Sequence, residues 1–386
     1  MDRPSAVAKN RPGSGIYPIS PLGEHIEGIA TGRDVEWEPL VDYRRNGVSE
    51  TTIHGAVAWA SGGEVVHSFG GNVLCYGRSM MKPFTMKVFA SDLAGCSWEQ
   101  KAISVASHNG DTEHVRAAQS LLAASDRGLM RTPLDVPLVQ FGRQVRRPRR
   151  WYHTCSGEHA AILRGCKAKG WERVGYTLPS HPLFRNYVRV LRRFLGEGWR
   201  PLRVARDGCG LPTTSNTVSE LAICFAGLAK VRHEDWIWEA MVRHPDLVGG
   251  FNRLDSTIIK AGTNERGEGS VIAKEGADGL LGMAIVHPDF PEGLGITVKI
   301  AHGWNPQATW YVARAILGVL GFELRNPYPL HRQKAFIVPE LVPEDRRARL
   351  EALPTWDEWD PDTDRWYWSW EDHLDNPDHL DLGKED

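Results

Sequence analysis

Ser79-Met80-Met81-Lys82, Ser107-His108-Asn109 and Lys274-Glu275-Gly276 follow one another along the chain. Each places a serine or a lysine where a nucleophile and its base can meet. A serine hydroxyl attacks poorly until a neighbouring base removes its proton, and a neutral lysine is such a base. Ser79 and Lys82, three apart at a predicted helix start, lie on one face within reach of each other. Lys82 is expected to be held neutral by burial and by nearby positive charge, both of which lower a lysine pKa. The plainer alternative is an N-cap serine beside an exposed lysine. Ser107 follows the apolar run Ile103–Ala106 and so ends an element, where catalytic groups often lie. A turn serine bonded to its own backbone is the alternative. Lys274 comes from a distant part of the chain, and Gly276 behind it permits close backbone approach to a ligand. A surface lysine is the plainer reading. Which serine attacks is open: Ser79 would form the acyl-enzyme with Ser107 passing protons, or the reverse. Backbone N–H groups near Ser79 or Gly276 could form an oxyanion hole, worth about 3 kcal/mol per donor.

A second group is Cys155, Glu158 and Cys209. Cys155 and Glu158 are three apart at a predicted helix start, and Cys209 lies in a glycine-flanked turn. Two thiolates and a carboxylate make a reasonable zinc set, with water or a fourth ligand completing the tetrahedron. Two buried reduced thiols and a hydrogen-bonded glutamate are the alternative. His159 could be a further ligand, a proton-shuttling partner or a hydrogen-bonded core histidine. Asp207 could hold a substrate amine or a lysine. Asp255 could do the same, or cap the following helix. Asn109, Asp207, His159 and Gly276 are the candidate substrate-binding residues.

These residues need a scaffold. Gly55–Ala60 and Glu64–Phe69 flank Ser61-Gly62-Gly63, a hairpin signal. Three-to-four apolar spacing predicts helices over Glu113–Ala124, Gly157–Lys169, Pro182–Leu195, Val218–Val231 and Thr309–Leu320. A further helix opens near Ser79, where Pro83 is tolerated in a first turn. Late strands are expected at Leu280–Val286 and Leu294–Ile300. Strands at both ends with helices between predict an α+β fold: one antiparallel sheet whose early and late strands pair, under helical layers.

Residues 1–32 read as a flexible N-terminal arm and 33–343 as the catalytic domain. From 344 to 386 the chain carries Trp356, Trp359, Trp366, Trp368 and Trp370 amid many acids. Disordered segments are poor in aromatics, so this tail is expected to pack on the body or on a second subunit, with a lid as the sharper alternative.

At 386 residues and 41% hydrophobic content the chain can bury a full-sized core. Its net charge of -2 gives no general case for binding nucleic acid or membranes. The local exception is Arg143–Arg150, either a solvated basic loop or a rim that attracts anions. There is no secretory signal and no apolar run long enough for a membrane span. The six scattered cysteines lack framework spacing, so a cytoplasmic protein with reduced thiols is expected.

The order S-x-x-K, S-x-N, K-x-G resembles the serine β-lactamase and penicillin-binding protein plan. Longer stretches join it: Gly77–Pro83, Ala106–Asp111, Cys155-Ser156-Gly157-Glu158-His159-Ala160, Asp207-Gly208-Cys209-Gly210-Leu211-Pro212, His244–Gly250 and Ala273–Gly279. This set resembles the asparaginase II family, the third structural class of asparaginases, from about Glu38 to Gly321. The resemblance implies a fold related to serine β-lactamases and glutaminases, a homodimer, and hydrolysis of asparagine's side-chain amide to aspartate and ammonia. It implies two serine–lysine pairs, Ser79 with Lys82 and Ser107 with Lys274. It also implies a zinc ion between two cysteines, here Cys155 and Cys209, and a lysine. Asp207 matches an acid of the same neighbourhood. The chain departs from the pattern at Glu158, where the family has that lysine, and at His302, where an aspartate is expected.

The expectation is therefore a serine–lysine amidohydrolase acting on a small-molecule amide, with no cofactor required beyond the zinc that the resemblance implies. One rival keeps the fold and nucleophile but takes a larger amide, ester or acyl-transfer substrate. Another is a catalytically idle scaffold. Penicillin binding is weaker, since the third motif is K-E-G rather than K-T-G.

Overall fold

Residues 56–60 read Ala-Val-Ala-Trp-Ala, small on one face of a strand and large on the other. The computed structural model describes residues 31–32, 35–45, 47–70, 72–134, 149–328 and 334–353. There this run forms the middle of a long strand at the heart of a seven-stranded sheet. The strands are β1 (Glu38–Arg45), β2 (Val48–Ser61), β3 (Glu64–Phe69), β4 (Leu74–Tyr76), β5 (Val204–Arg206), β6 (Pro212–Thr217), β7 (Val271–Gly276), β8 (Leu280–His287), β9 (Phe290–Ile300) and β10 (Lys334–Ile337). The main sheet runs β10-β1-β2-β9-β8-β7, with β3 also paired to β2; β4-β6-β5 form a small second sheet. Every strand pairing is antiparallel, and β2 against β9 joins the early and late parts of the chain as expected. Gly62 and Gly63 both take positive φ, the twist a two-residue hairpin loop needs.

The helices are α1 (Lys82–Lys87), α2 (Trp98–Ser104), α3 (Thr112–Ser120), α4 (Ser156–Ala168), α5 (Pro182–Leu195), α6 (Val218–Lys230), α7 (Ile237–Arg243), α8 (Pro245–Val248), α9 (Leu254–Ala261), α10 (Pro306–Val319) and α11 (Arg347–Glu351). The alternation in β2 decides which helix lies on which face. Ala56, Ala58 and Ala60 pack on Val218, Ala222 and Ala226 of α6. Val57 and Trp59 turn the other way, into a core with Trp310 and Ile316 of α10. Each fully buried large apolar side chain of this kind contributes about 1.5–3 kcal/mol. Thr217 and Glu220 form a capping box at the start of α6, and Asn305 caps α10 with Pro306 behind it. Helices α2, α3, α4, α5, α7 and α8 share a third core with α1, while α9 and α11 join the α10 side through Leu254, Ile258 and Leu350.

The fold is thus α+β with antiparallel sheets. Four of the five periodic helices begin and end within a few residues of expectation, and Pro182–Leu195 coincides with α5. Ser79 lies in a 3-10 turn, Arg78–Met81, that leads into α1, so the helix proper starts at Lys82. Sequence periodicity missed β7, because Lys274 and Glu275 interrupt its apolar run; all six residues are nonetheless buried. The short edge strand β10 was missed too. The N-terminal arm up to residue 30, the basic stretch Arg143–Pro148 and all five tail tryptophans lie outside the described residues. The described part of the C-terminal segment folds back on α10, with Leu353 against Gly318. No helix of the described residues is long and apolar enough to cross a membrane.

Candidate active site

The three motifs converge because close backbone contacts leave no room for side chains between them. A Cβ on Gly157 would stand 2.0 Å from the Ile103 carbonyl, so the glycine lets α4 begin directly against the end of α2. Gly249 O accepts the Asn109 N–H at 3.0 Å and Val248 O the Ser107 N–H at 2.8 Å, which clips the second motif to the segment after α8. Gly250, at φ +132°, would put a Cβ 2.4 Å from Asn109 Nδ2. Gly276 lets β7 approach the turn that carries Ser79, its ideal Cβ position being 3.2 Å from Met80 Cβ and 3.4 Å from Gly77 O.

Ser79 Oγ lies 3.8 Å from Cys155 Sγ and makes no hydrogen bond to Lys82. Lys82 is almost fully buried; its Nζ donates to the Ala106 carbonyl and stands 3.6 Å from Glu158. Burial works against its charge, but Cys155, Glu158 and Cys209 outweigh burial and hold its pKa above the ordinary lysine value. This direction is opposite to the expected lowering, because Cys155 and Glu158 lie beside Lys82. Cys209 donates to Cys155, and that bond, assisted by Lys82, holds Cys155 well below the usual thiol range despite burial. The same bond pushes Cys209 well above it. Burial pushes Glu158 up to about 7, against the pull of Lys82.

Ligand atoms of Cys155, Glu158 and Cys209 all lie within 4.8 Å of one another, and all three residues are buried. Two sulfurs and one carboxylate oxygen at that spacing fit a zinc ion with a fourth position open.

The second pair is arranged differently from expectation. Lys274 Nζ donates to Asp255 Oδ2 at 2.8 Å and to the Glu275 carbonyl at 3.2 Å, with no bond to Ser107. Burial lowers the Lys274 pKa, opposed by Asp255 and reinforced by Lys82 and Arg253. Asp255 thus holds a lysine, one of the roles read for it. Ser107 Oγ is buried without a hydrogen-bond partner, while its carbonyl accepts from Arg253 Nη1 at 2.9 Å.

Arg253 is the residue that sequence reasoning missed. Besides Ser107 it reaches Asn109 Oδ1 at 3.5 Å and Glu275 at 3.1 Å, so one guanidinium ties the second motif to the third. Nothing in the local sequence signals this.

A cavity of ≈ 490 Å³ opens over Ser79. Its polar end is formed by Ser79, Glu158, Asp207 and Arg78, with Cys209 beside them. Its other wall is apolar, from Leu183, Phe184 and Tyr187 on α5. Arg78, at φ +52°, bonds Asp207 and Asp278, so Asp207 holds an arginine rather than a lysine. Two proposed substrate contacts are corrected. Asn109 spends its amide on Phe251 O and Arg253, and does not line the cavity. His159 is fully buried with Nδ1 2.6 Å from the Tyr176 hydroxyl, and burial lowers its pKa to about 3, as for a neutral core histidine. His302 lines a separate surface cavity beside Lys299.

Residues 41–342 match the family model described as L-asparaginase II. No curated protein gives a significant match to the chain.

Proposed function

The chain belongs to the L-asparaginase II family of amidohydrolases, and we propose that it hydrolyses a linear carboxamide to the acid and ammonia through Ser79, with asparagine as the reference substrate. The observation that supports this is that Ser79 lines the cavity with Glu158, Asp207 and Arg78, while Lys82, Ser107 and Lys274 are buried. Ser79 Oγ forms the bond to the amide carbon as its proton leaves for a neighbouring base. The C–N bond breaks as a proton reaches the departing nitrogen, and ammonia leaves. Water then attacks the acyl-serine, restoring the hydroxyl and releasing the acid.

In this reading Lys82 and the Ser107–Lys274 region move or position those protons. Cys155, Cys209 and Glu158 would hold a zinc ion, which supplies positive charge that offsets the anionic groups around Lys82. Arg78 steers the turn that presents Ser79, since its guanidinium is fastened to Asp207 and Asp278.

Ammonia release from asparagine and glutamine, by wild type and Ser79→Ala side by side, tests the reading. Release that needs Ser79 is expected. Near-normal turnover by a folded Ser79→Ala variant would remove Ser79 as nucleophile.

A further inference from the structure

The cavity over Ser79 has a composition that selects among amides, an inference that rests on the Ser79 reading. Among the described residues Arg78 is the only cation lining it, and that guanidinium is already committed to Asp207 and Asp278. Glu158 and Asp207 also line it, the first 3.6 Å from Lys82 and the second bonded to Arg78.

The opposite wall is built to receive an apolar group. Phe184 and Tyr187 present neighbouring rings with centroids 6.2 Å apart. Tyr187's hydroxyl lies 3.4 Å from Thr214 Oγ1, which directs its polar end away from the apolar surface. The helix carrying both is fixed at its start, where Pro182 occupies the first turn and His181 accepts the Leu183 N–H at 3.1 Å.

We propose that the enzyme prefers carboxamides with an apolar, ring-bearing body. The amide carbon meets Ser79, and the apolar body lies on Phe184.

The test compares kcat/KM for 3-phenylpropanamide and for asparagine, read as ammonia release, in wild type, Phe184→Ala and Phe184→Leu. Labelling of Ser79 by a fluorophosphonate probe, located by mass spectrometry, is measured on the same samples. The aryl amide is expected to lead asparagine by about tenfold or more, the scale of burying one apolar group. Phe184→Ala is expected to lower that ratio about tenfold, chiefly through KM, with Phe184→Leu in between. If Phe184→Ala does not fold, the fall in Phe184→Leu decides. Labelled Ser79 with asparagine preferred, with neither amide turned over, or with a ratio indifferent to residue 184 overturns the inference and leaves the nucleophile standing. Failure to label Ser79 in the folded wild type overturns the Ser79 reading, and this inference falls with it.

Discussion

Lys274 Nζ stands 2.8 Å from Asp255 Oδ2, and neither side chain is exposed to solvent. A buried pair of this kind adds little by itself, yet breaking it strands one charge in the interior. Asp255→Asn is therefore expected to cost about 3–5 kcal/mol in urea unfolding. Asp255→Asn combined with Lys274→Met should regain most of that stability without regaining turnover. Restored turnover in the double variant would show that Lys274 has no part in proton movement.

Arg253 joins Ser107 O, Asn109 Oδ1 and Glu275 through one planar fork. A lysine can replace its charge but not that geometry. Arg253→Ala should lower kcat by about 10²-fold, the scale of an ångström-sized misplacement, while changing KM less. Arg253→Lys should recover part of kcat. An unchanged kcat in the folded alanine variant would reduce Arg253 to a structural residue. A loss confined to KM would place it in substrate binding instead.

The Cys155–Glu158–Cys209 group predicts a bound metal. Elemental analysis of purified protein should find about one zinc per chain, lost in Cys155→Ser and in Cys209→Ser. Metal binding is folding free energy, so chelation should also lower the Tm of wild type and leave the Tm of the cysteine variants unmoved. Metal-free protein with an unaltered Tm would mean the three side chains are held by their own hydrogen bonds alone.

His108 and His114 stack with ring centroids 5.1 Å apart in the interior. Burial lowers both pKa values, that of His108 well below 6.5, and His114 adds to the lowering of His108. The unfolded chain takes up protons below pH 6.5 that the folded chain refuses, so stability falls as pH drops through that value toward the folded pKa. Each refused proton costs up to about 1.4 kcal/mol per pH unit. The urea midpoint should thus fall between pH 7 and pH 5. His108→Asn, which retains a polar group of similar reach, should flatten that slope. An equal slope in the variant would assign the acid sensitivity to other groups.

What the chain declared on its own was chemistry in order and pattern in place. The three serine and lysine motifs, the two cysteines, the Ser61-Gly62-Gly63 hairpin signal and the apolar spacing of α3, α4, α5, α6 and α10 are local features, legible wherever a period or a neighbour sets the geometry. They were enough for the α+β sheet and for the neighbourhood of the site. Tertiary structure alone decided the rest, because each remaining fact joins residues far apart in the chain. Arg253 reaches a carbonyl 146 positions away. The Lys82 pKa is raised, against the expectation from burial, because folding sets it beside Cys155, Glu158 and Cys209. β7 is a buried strand despite its lysine and glutamate because Asp255 and Arg253 arrive from another helix to balance them. The apolar wall over Ser79 exists because the start of α5 is brought against that turn. Periodicity reports which face of an element is apolar; which charge meets which in a low-dielectric interior depends on distances that only the folded chain sets.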